Sequence, residues 1–202
     1  AATMSVSAGA AVVSAVGTPV SGPTAGSTTS SGTWYANNTI DGAGNVVVKY
    51  SFLKADGTWA ANEWELINGK WYYFDGQGLA ISNTTIPYNG SIYRLGADCA
   101  MITGWYQISN AQDPTYGDSR NWEYYSPSTG AQQTGWIKVG ANWFYMTEQQ
   151  VAVEYKENGQ DRAKLLPAGT LLMDGTYKFR DGINAGKTYS FAANGVLLNQ
   201  GQ

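Results

Sequence analysis

Histidine is absent from this 202-residue chain, and cysteine occurs once, as Cys99. Without imidazole there is no Ser–His or Cys–His nucleophile, no histidine general base and little basis for a transition-metal site. One cysteine closes no internal disulfide, and Cys99 reads as a small buried hydrophobe. Charge is also scarce: 13% of residues are charged and the net charge is −3. A nucleic-acid surface needs a basic face, so that class is excluded. No apolar run approaches the roughly 20 residues of a membrane-spanning helix. No stretch repeats apolar residues at helical intervals over three turns, so helix content is expected to be low. Asp41, Asp56, Asp75 and Asp181 each precede a glycine, and turn chemistry accounts for all four without catalysis. Residues 41–45 (DGAGN) lack the ligand spacing of a calcium loop. The expectation is a protein that is not an enzyme and holds neither cofactor nor metal.

Glycine and aromatic residues are plentiful instead, with 25 Gly, 8 Trp and 14 Tyr, which suits short strands and many turns. Residues 64–78, WELINGKWYYFDGQG, concentrate the pattern. Aromatics favour strands, and Asp-Gly between strand-like runs is a strong hairpin signal. The expectation is a strand at 70–74, a turn at 75–78 and a return strand at 79–81. Alternation places Trp71 and Tyr73 on one face and Tyr72 and Phe74 on the other. An isolated hairpin is marginal in water, so both aromatic faces call for cover from neighbouring copies.

Such copies recur. From Thr33 on, aromatics and glycines recur at a spacing of roughly twenty residues, the mark of a repeat array. Trp34-Tyr35, Asn89-Gly90-Ser91-Ile92-Tyr93, Gly104-Trp105, Trp122-Glu123-Tyr124-Tyr125, Gly135-Trp136 and Trp143-Phe144-Tyr145-Met146 belong to it with the central stretch. Trp136 to Trp143 repeats the seven-residue spacing of Trp64 to Trp71. Beyond Val151 the pattern weakens. Residues 155–168 are polar and charged, a loop or an inserted hairpin, before alternating strands return around Tyr177 and Tyr189.

Residues 1–32 carry no charge and no aromatic ring. They read either as a linker or as an arm packed on its own body or on a neighbour. Residues 4–16 are apolar enough to form an extended strand, and Ala1-Ala2 looks like the pair left after removal of a signal peptide. The expected organisation is an arm at 1–32, hairpin repeats at 33–150, and degenerate repeats or a capping β unit at 151–202.

The repeat of Gly-Trp, a short variable stretch, Gly-Lys-Trp71-Tyr72-Tyr73-Phe74-Asp75, and then Thr103-Gly104-Trp105 resembles the cell-wall-binding repeat of Gram-positive surface proteins. That family includes choline-binding modules and related glucan-binding and toxin repeats. The resemblance is strongest at 64–78, 90–105 and 134–146, and loose over 170–198. It implies an all-β fold of β-hairpins stacked into a left-handed, solenoid-like array, at the extracellular surface of a bacterium. It also implies boxes in which two Trp and a Tyr, often with a Met, hold a quaternary ammonium by cation–π attraction, worth about 2 kcal/mol or more when desolvated. Glucan-binding relatives use similar rings as sugar platforms. Carried over by position, the ligand-binding residues are Trp64, Trp71, Tyr73, Trp105, Trp122, Tyr125, Trp136, Trp143 and Tyr145. The chain departs from the pattern in its second copy, where Ile92 replaces a Trp, Arg94 stands at a box-tyrosine position and Cys99 replaces the glycine after the turn. Ten additional residues also separate Trp105 from Trp122.

Two functional readings follow. One is a noncatalytic surface module binding cell-wall choline or polysaccharide through its aromatic sites. The other is a filament subunit, polymerised by residues 4–16 adding as a strand to the sheet edge of the next copy. The plain alternative for each ring is core packing, since a buried Trp or Tyr stabilises a thin repeat protein whether or not a ligand exists. The Trp64/Trp71 and Trp136/Trp143 pairs keep the least disturbed spacing and rank first as ligand contacts.

Overall fold

The structure, a computed structural model, describes residues 18–20, 31–108 and 117–199. The expected polymerising segment 4–16 lies outside them. The described residues are all β apart from one three-residue 3-10 helix, Asp118–Arg120. They fall in two compact units, which divide between Ile102 and Thr103.

In the first unit, β1 (Thr18–Val20), β2 (Gly32–Ile40) and β3 (Val46–Lys54) form an antiparallel sheet in the order β1-β2-β3. Two hairpins follow, β4 (Glu63–Ile67) with β5 (Lys70–Phe74) and β6 (Thr84–Tyr88) with β7 (Ser91–Leu95). The second unit opens with β8 (Gly104–Gln107), β9 (Trp122–Tyr125) and the short β10 (Gln132–Gln133), in the order β10-β9-β8. The hairpin β11 (Gly135–Val139) with β12 (Asn142–Met146) comes next. The chain closes with β13 (Val151–Glu157), β14 (Gln160–Leu166), β15 (Gly175–Phe179) and β16 (Thr188–Phe191), a four-stranded sheet in the order β14-β13-β15-β16.

The hairpin turn lies elsewhere than the Asp-Gly signal suggests. Strand 70–74 forms as expected, but its partner is β4 on its N-terminal side, joined through Asn68-Gly69. Both turn residues have positive φ, 51° and 78°, the backbone a two-residue type I′ turn demands. Asn89-Gly90 and Asn158-Gly159 repeat this geometry. Residues 75–78 do turn, with the Asp75 carboxylate accepting the backbone N–H groups of Gln77 and Leu79. The expected return strand at 79–81 shrinks to one bridge, Phe74 to Ala80. Asp-Gly here links one hairpin to the next rather than two strands of one hairpin. The polar stretch after Tyr155 is a hairpin, since β13 and β14 pair over seven residues.

Alternation along β5 is as expected, with a different consequence for burial. Tyr72 and Phe74 are buried, whereas Trp71 is 42% exposed. One aromatic face builds the core and the other stays partly open. In the first unit that core gathers Trp34, Phe52, Ile67, Tyr72 and Phe74. In the second, Tyr145, Val153, Leu166, Phe179 and Phe191 form its counterpart around the four-stranded sheet.

Cys99 is buried, as its composition suggests. It holds the turn position that Gly78 holds one copy earlier, with φ of 68° against 77°. Burial, with a smaller contribution from the Asp98 carboxylate, pushes the thiol up to about 11. Folding therefore favours the protonated thiol. That contribution is complete below the ordinary value of 9.0 and is lost as pH rises through about 11. Iodoacetamide at pH 8 is expected to leave native Cys99 unmodified and to alkylate it fully in denaturant, read by intact mass.

Candidate functional site

The cross-strand registers superpose the hairpins and show which rings hold equivalent places. Trp34, Trp64, Trp105 and Trp136 each sit opposite one aromatic partner, Phe52, Tyr73, Tyr124 and Tyr145 respectively. Each pair packs at a ring separation of 4.7–5.2 Å. Every one of these tryptophans is also covered by a ring from a later hairpin. Tyr72 lies 5.0 Å from Trp34, Tyr93 5.3 Å from Trp64, Phe144 5.0 Å from Trp105 and Tyr189 4.8 Å from Trp136. The same register puts Tyr72, Tyr93, Phe144 and Tyr189 at one equivalent position.

The second tryptophan of each pair meets different neighbours from one hairpin to the next. In β11–β12, Trp136 and Trp143 share a face, with rings 6.4 Å apart at 84°. Tyr189 adds a third wall at 68° to Trp136. The fourth wall is Leu197, whose backbone N–H donates to the Trp143 carbonyl at 2.7 Å. These four residues line an open cavity of about 270 Å³. No carboxylate stands among them, so a cation there would meet ring faces and an aliphatic side chain. Behind the box, buried Asn184 accepts from the Trp136 indole N–H at 3.3 Å and fixes that ring's orientation. Tyr145 packs against Trp136 from within the core at 4.8 Å, and its burial raises its phenol above the usual value. The Lys138 ammonium lies 5.6 Å from the centre of the Trp143 ring, so one side of that ring already meets the chain's own cation.

The other expected pairs are arranged differently. Trp105 and Trp122 repeat the separation of 6.4 Å at 87°. There Phe144 stands where the first box has Tyr189, and the Trp122 indole N–H donates to Asp118 at 3.2 Å. Trp64 packs with Tyr73, Tyr88 and Tyr93 at 5.2–6.0 Å, a cluster filled by its own rings. Trp71 stands outside that cluster, with its carbonyl accepting the Met101 N–H at 2.9 Å. Arg94 and Thr85 take the register positions of Tyr73 and Trp64. The hairpin β6–β7 therefore supplies a covering ring without a tryptophan pair of its own.

Of the nine residues carried over by position, Trp136 and Trp143 line the open box. Trp105 and Trp122 meet, Trp64 and Tyr73 meet, and Trp71 is separate. Tyr125 is fully buried and Tyr145 nearly so, at 0% and 2% exposure. Tyr189 and Leu197 close the box instead, and sequence reasoning missed them. The signal that finds Tyr189 is the cross-strand register, which gives it the position held by Tyr72, Tyr93 and Phe144, whereas Leu197 lies beyond the last strand, where no such register marks it. Among the described residues no group of three Cys, Asp or Glu side chains is placed to hold a metal ion, and no helix is long and apolar enough to cross a membrane.

These features define an aromatic hairpin-repeat protein, in which four tryptophans are each roofed by a ring from a later hairpin of the same unit. Residues 62–80 and 134–148 match the family model described as a putative cell wall binding repeat, and the two segments are repeats of that family. No curated protein matches the sequence. Among solved structures, choline binding protein F from Streptococcus pneumoniae is 23% identical over 82% of this chain and 48% of its own, with a TM-score of 0.49. The multimodular pneumococcal cell wall endolysin from phage Cp-1, solved with choline, is 24% identical over 78% of this chain and 41% of its own, at 0.40. The modular autolysin LytC from Streptococcus pneumoniae is 26% identical over 82% of this chain and 33% of its own, at 0.39. The chain thus spans less than half the length of each. All three TM-scores fall below 0.5, and the family assignment rests on the two matched segments.

Proposed function

We propose that the chain is a noncatalytic cell-wall-binding module of the bacterial surface, and that the Trp136/Trp143/Tyr189/Leu197 box takes a quaternary ammonium such as choline. The observation that supports this most is the arrangement of Trp136, two rings steeply inclined to it and one aliphatic wall around a cavity of about 270 Å³. A trimethylammonium head is round, weakly hydrated and cationic. Ring faces on several sides attract it through their quadrupoles, and aliphatic cover excludes water without competing for the charge. The two matched repeats point to the same class of partner. A sugar would use one flat ring and a set of polar groups, whereas this lining offers no carboxylate, amide or aliphatic hydroxyl, its polar atoms being the Tyr189 phenol and the two indole N–H groups.

The test compares choline with its neutral carbon isostere, in which a tert-butyl group replaces trimethylammonium, by Trp fluorescence. Shape and apolar area are matched, so the difference isolates the charge. The expected result is binding about 30-fold tighter for choline, the equivalent of about 2 kcal/mol of cation–π attraction. Equal response to both compounds would leave an apolar pocket without cation recognition.

The filament reading draws no support from the described residues. β1 pairs within its own chain, Thr18 to Ala36 and Val20 to Trp34.

A further inference from the structure

A second cation–π arrangement lies in the C-terminal sheet, and there the cation belongs to the chain. Lys164 on β14 places its ammonium 4.5 Å from the centre of the Tyr155 ring on β13 and 5.5 Å from that of Tyr177 on β15. The side chain is half-buried, and no carboxylate pairs with it among the described residues. The register accounts for the meeting. Lys164 faces Val153, Tyr155 lies two residues along β13, and β15 pairs with β13 on its other side through Val153 and Phe179. All three side chains therefore share the inner face of the sheet, where an unpaired ammonium costs more than it would in water. Burial lowers the Lys164 ammonium below the usual lysine value and raises the Tyr177 phenol.

Lys164 also forms part of the wall of a cavity of about 360 Å³. The other ionisable groups on that wall are Asp118, Asp174 and Tyr177. Asp118 is engaged by the indole N–H of Trp122 and the amide of Asn121, and the Tyr177 hydroxyl donates to the Met173 carbonyl at 2.9 Å. Without the lysine, the space would combine the Tyr177 ring with two carboxylates, and the Tyr155 ring, 6.4 Å from that of Tyr177, would stand beside the vacated position, a setting a small organic cation prefers.

We infer that Tyr155 and Tyr177 form a second organic-cation site that Lys164 fills as a tethered ligand, closing it to soluble ammonium compounds. The same ring chemistry then serves two ends: an open box at Trp136/Trp143/Tyr189, and a self-occupied site that holds β14 onto the sheet. A tether keeps its cation at a high effective concentration, which a dissolved ligand does not match. The inference does not depend on the open box binding choline.

The experiment titrates tetramethylammonium into the full chain, into Lys164→Ala and into Lys164→Arg, and follows the Tyr155 and Tyr177 ring resonances by NMR. Lys164→Ala is expected to gain a saturable response at both rings, while the parent chain and the arginine variant show none. A response at those rings in the parent chain, or none in folded Lys164→Ala, would overturn the inference. If Lys164→Ala does not fold, the parent chain decides. The Lys164 ε-methylene protons are expected to lie upfield of those of exposed Lys156, and to move back in Tyr155→Leu. Coincident Lys156 and Lys164 shifts would equally sink it. Indole signals of Trp136 and Trp143, read in the same spectra, report the open box separately, so either site can fail alone.

Discussion

Trp34→Ala is expected to destabilise the N-terminal unit by about 3–5 kcal/mol, the cost of deleting a fully packed large aromatic. Trp34 is 2% exposed and touches three rings at once, Phe52 at 5.2 Å, Tyr72 at 5.0 Å and Phe74 at 5.7 Å. Its removal leaves a cavity whose walls come from two hairpins, β2–β3 and β4–β5, and the turn-closed strands cannot collapse into it without losing register. The cost should appear in urea denaturation as a lower midpoint at an unchanged slope. Tyr88→Ala makes the control, since Tyr88 is 39% exposed at the rim of the Trp64 cluster. A loss below about 1 kcal/mol is expected there. Equal losses from the two substitutions would mean that the covered tryptophan is not what ties hairpin to hairpin.

Trp143→Ala is expected to weaken choline binding at least 30-fold while leaving the fold in place. Trp143 is the box wall that the core does not need. It is half-buried, whereas the wall residue Tyr189 belongs with Phe191 to the buried cluster, against which Trp136 also packs. Its loss removes one of three ring faces and opens the cavity to water, which weakens the remaining cation–π contacts through a higher local dielectric. Calorimetric titration gives the affinity and circular dichroism the fold. Retained affinity in a folded Trp143→Ala protein would place the cation elsewhere. Trp136→Ala is the poorer probe, since Trp136 packs on Tyr145, Tyr189 and Phe191 and its removal would damage the core as well.

The all-β class, the hairpin period and the aromatic chemistry were legible in the sequence because each is local. Gly, Asn and Asp mark the turns, and the missing helical period leaves strands as the remaining regular element. The Trp136/Trp143 pair was legible too, because two residues of one hairpin share a face when their distances from the turn-closing cross-strand pair are both even or, as here, both odd. What closes the box was not. Tyr189 and Leu197 lie more than forty positions downstream, and the cross-strand register marks only the first of them. Two turn signals, Asn68-Gly69 and Asp75-Gly76, flank the same strand. Asn at the first turn position tolerates the left-handed backbone that a two-residue hairpin requires. Asp75 instead anchors a local carboxylate-to-backbone turn between hairpins. Carrying the family's box over by position put the closing rings at Tyr73, Tyr125 and Tyr145, and of these Tyr125 and Tyr145 are buried in the core. The Lys164 arrangement was beyond the sequence altogether, since its three residues lie on three strands with no motif among them.

The measurement that bears most directly on the central claim is a choline titration of the full chain, followed residue by residue through the indole N–H resonances of its tryptophans. The account predicts that Trp136 and Trp143 shift together along one saturating curve, while buried Trp34 and Trp59 stay still. Shifts absent from Trp136 and Trp143 at saturating choline, or spread evenly over all the indoles, would contradict it.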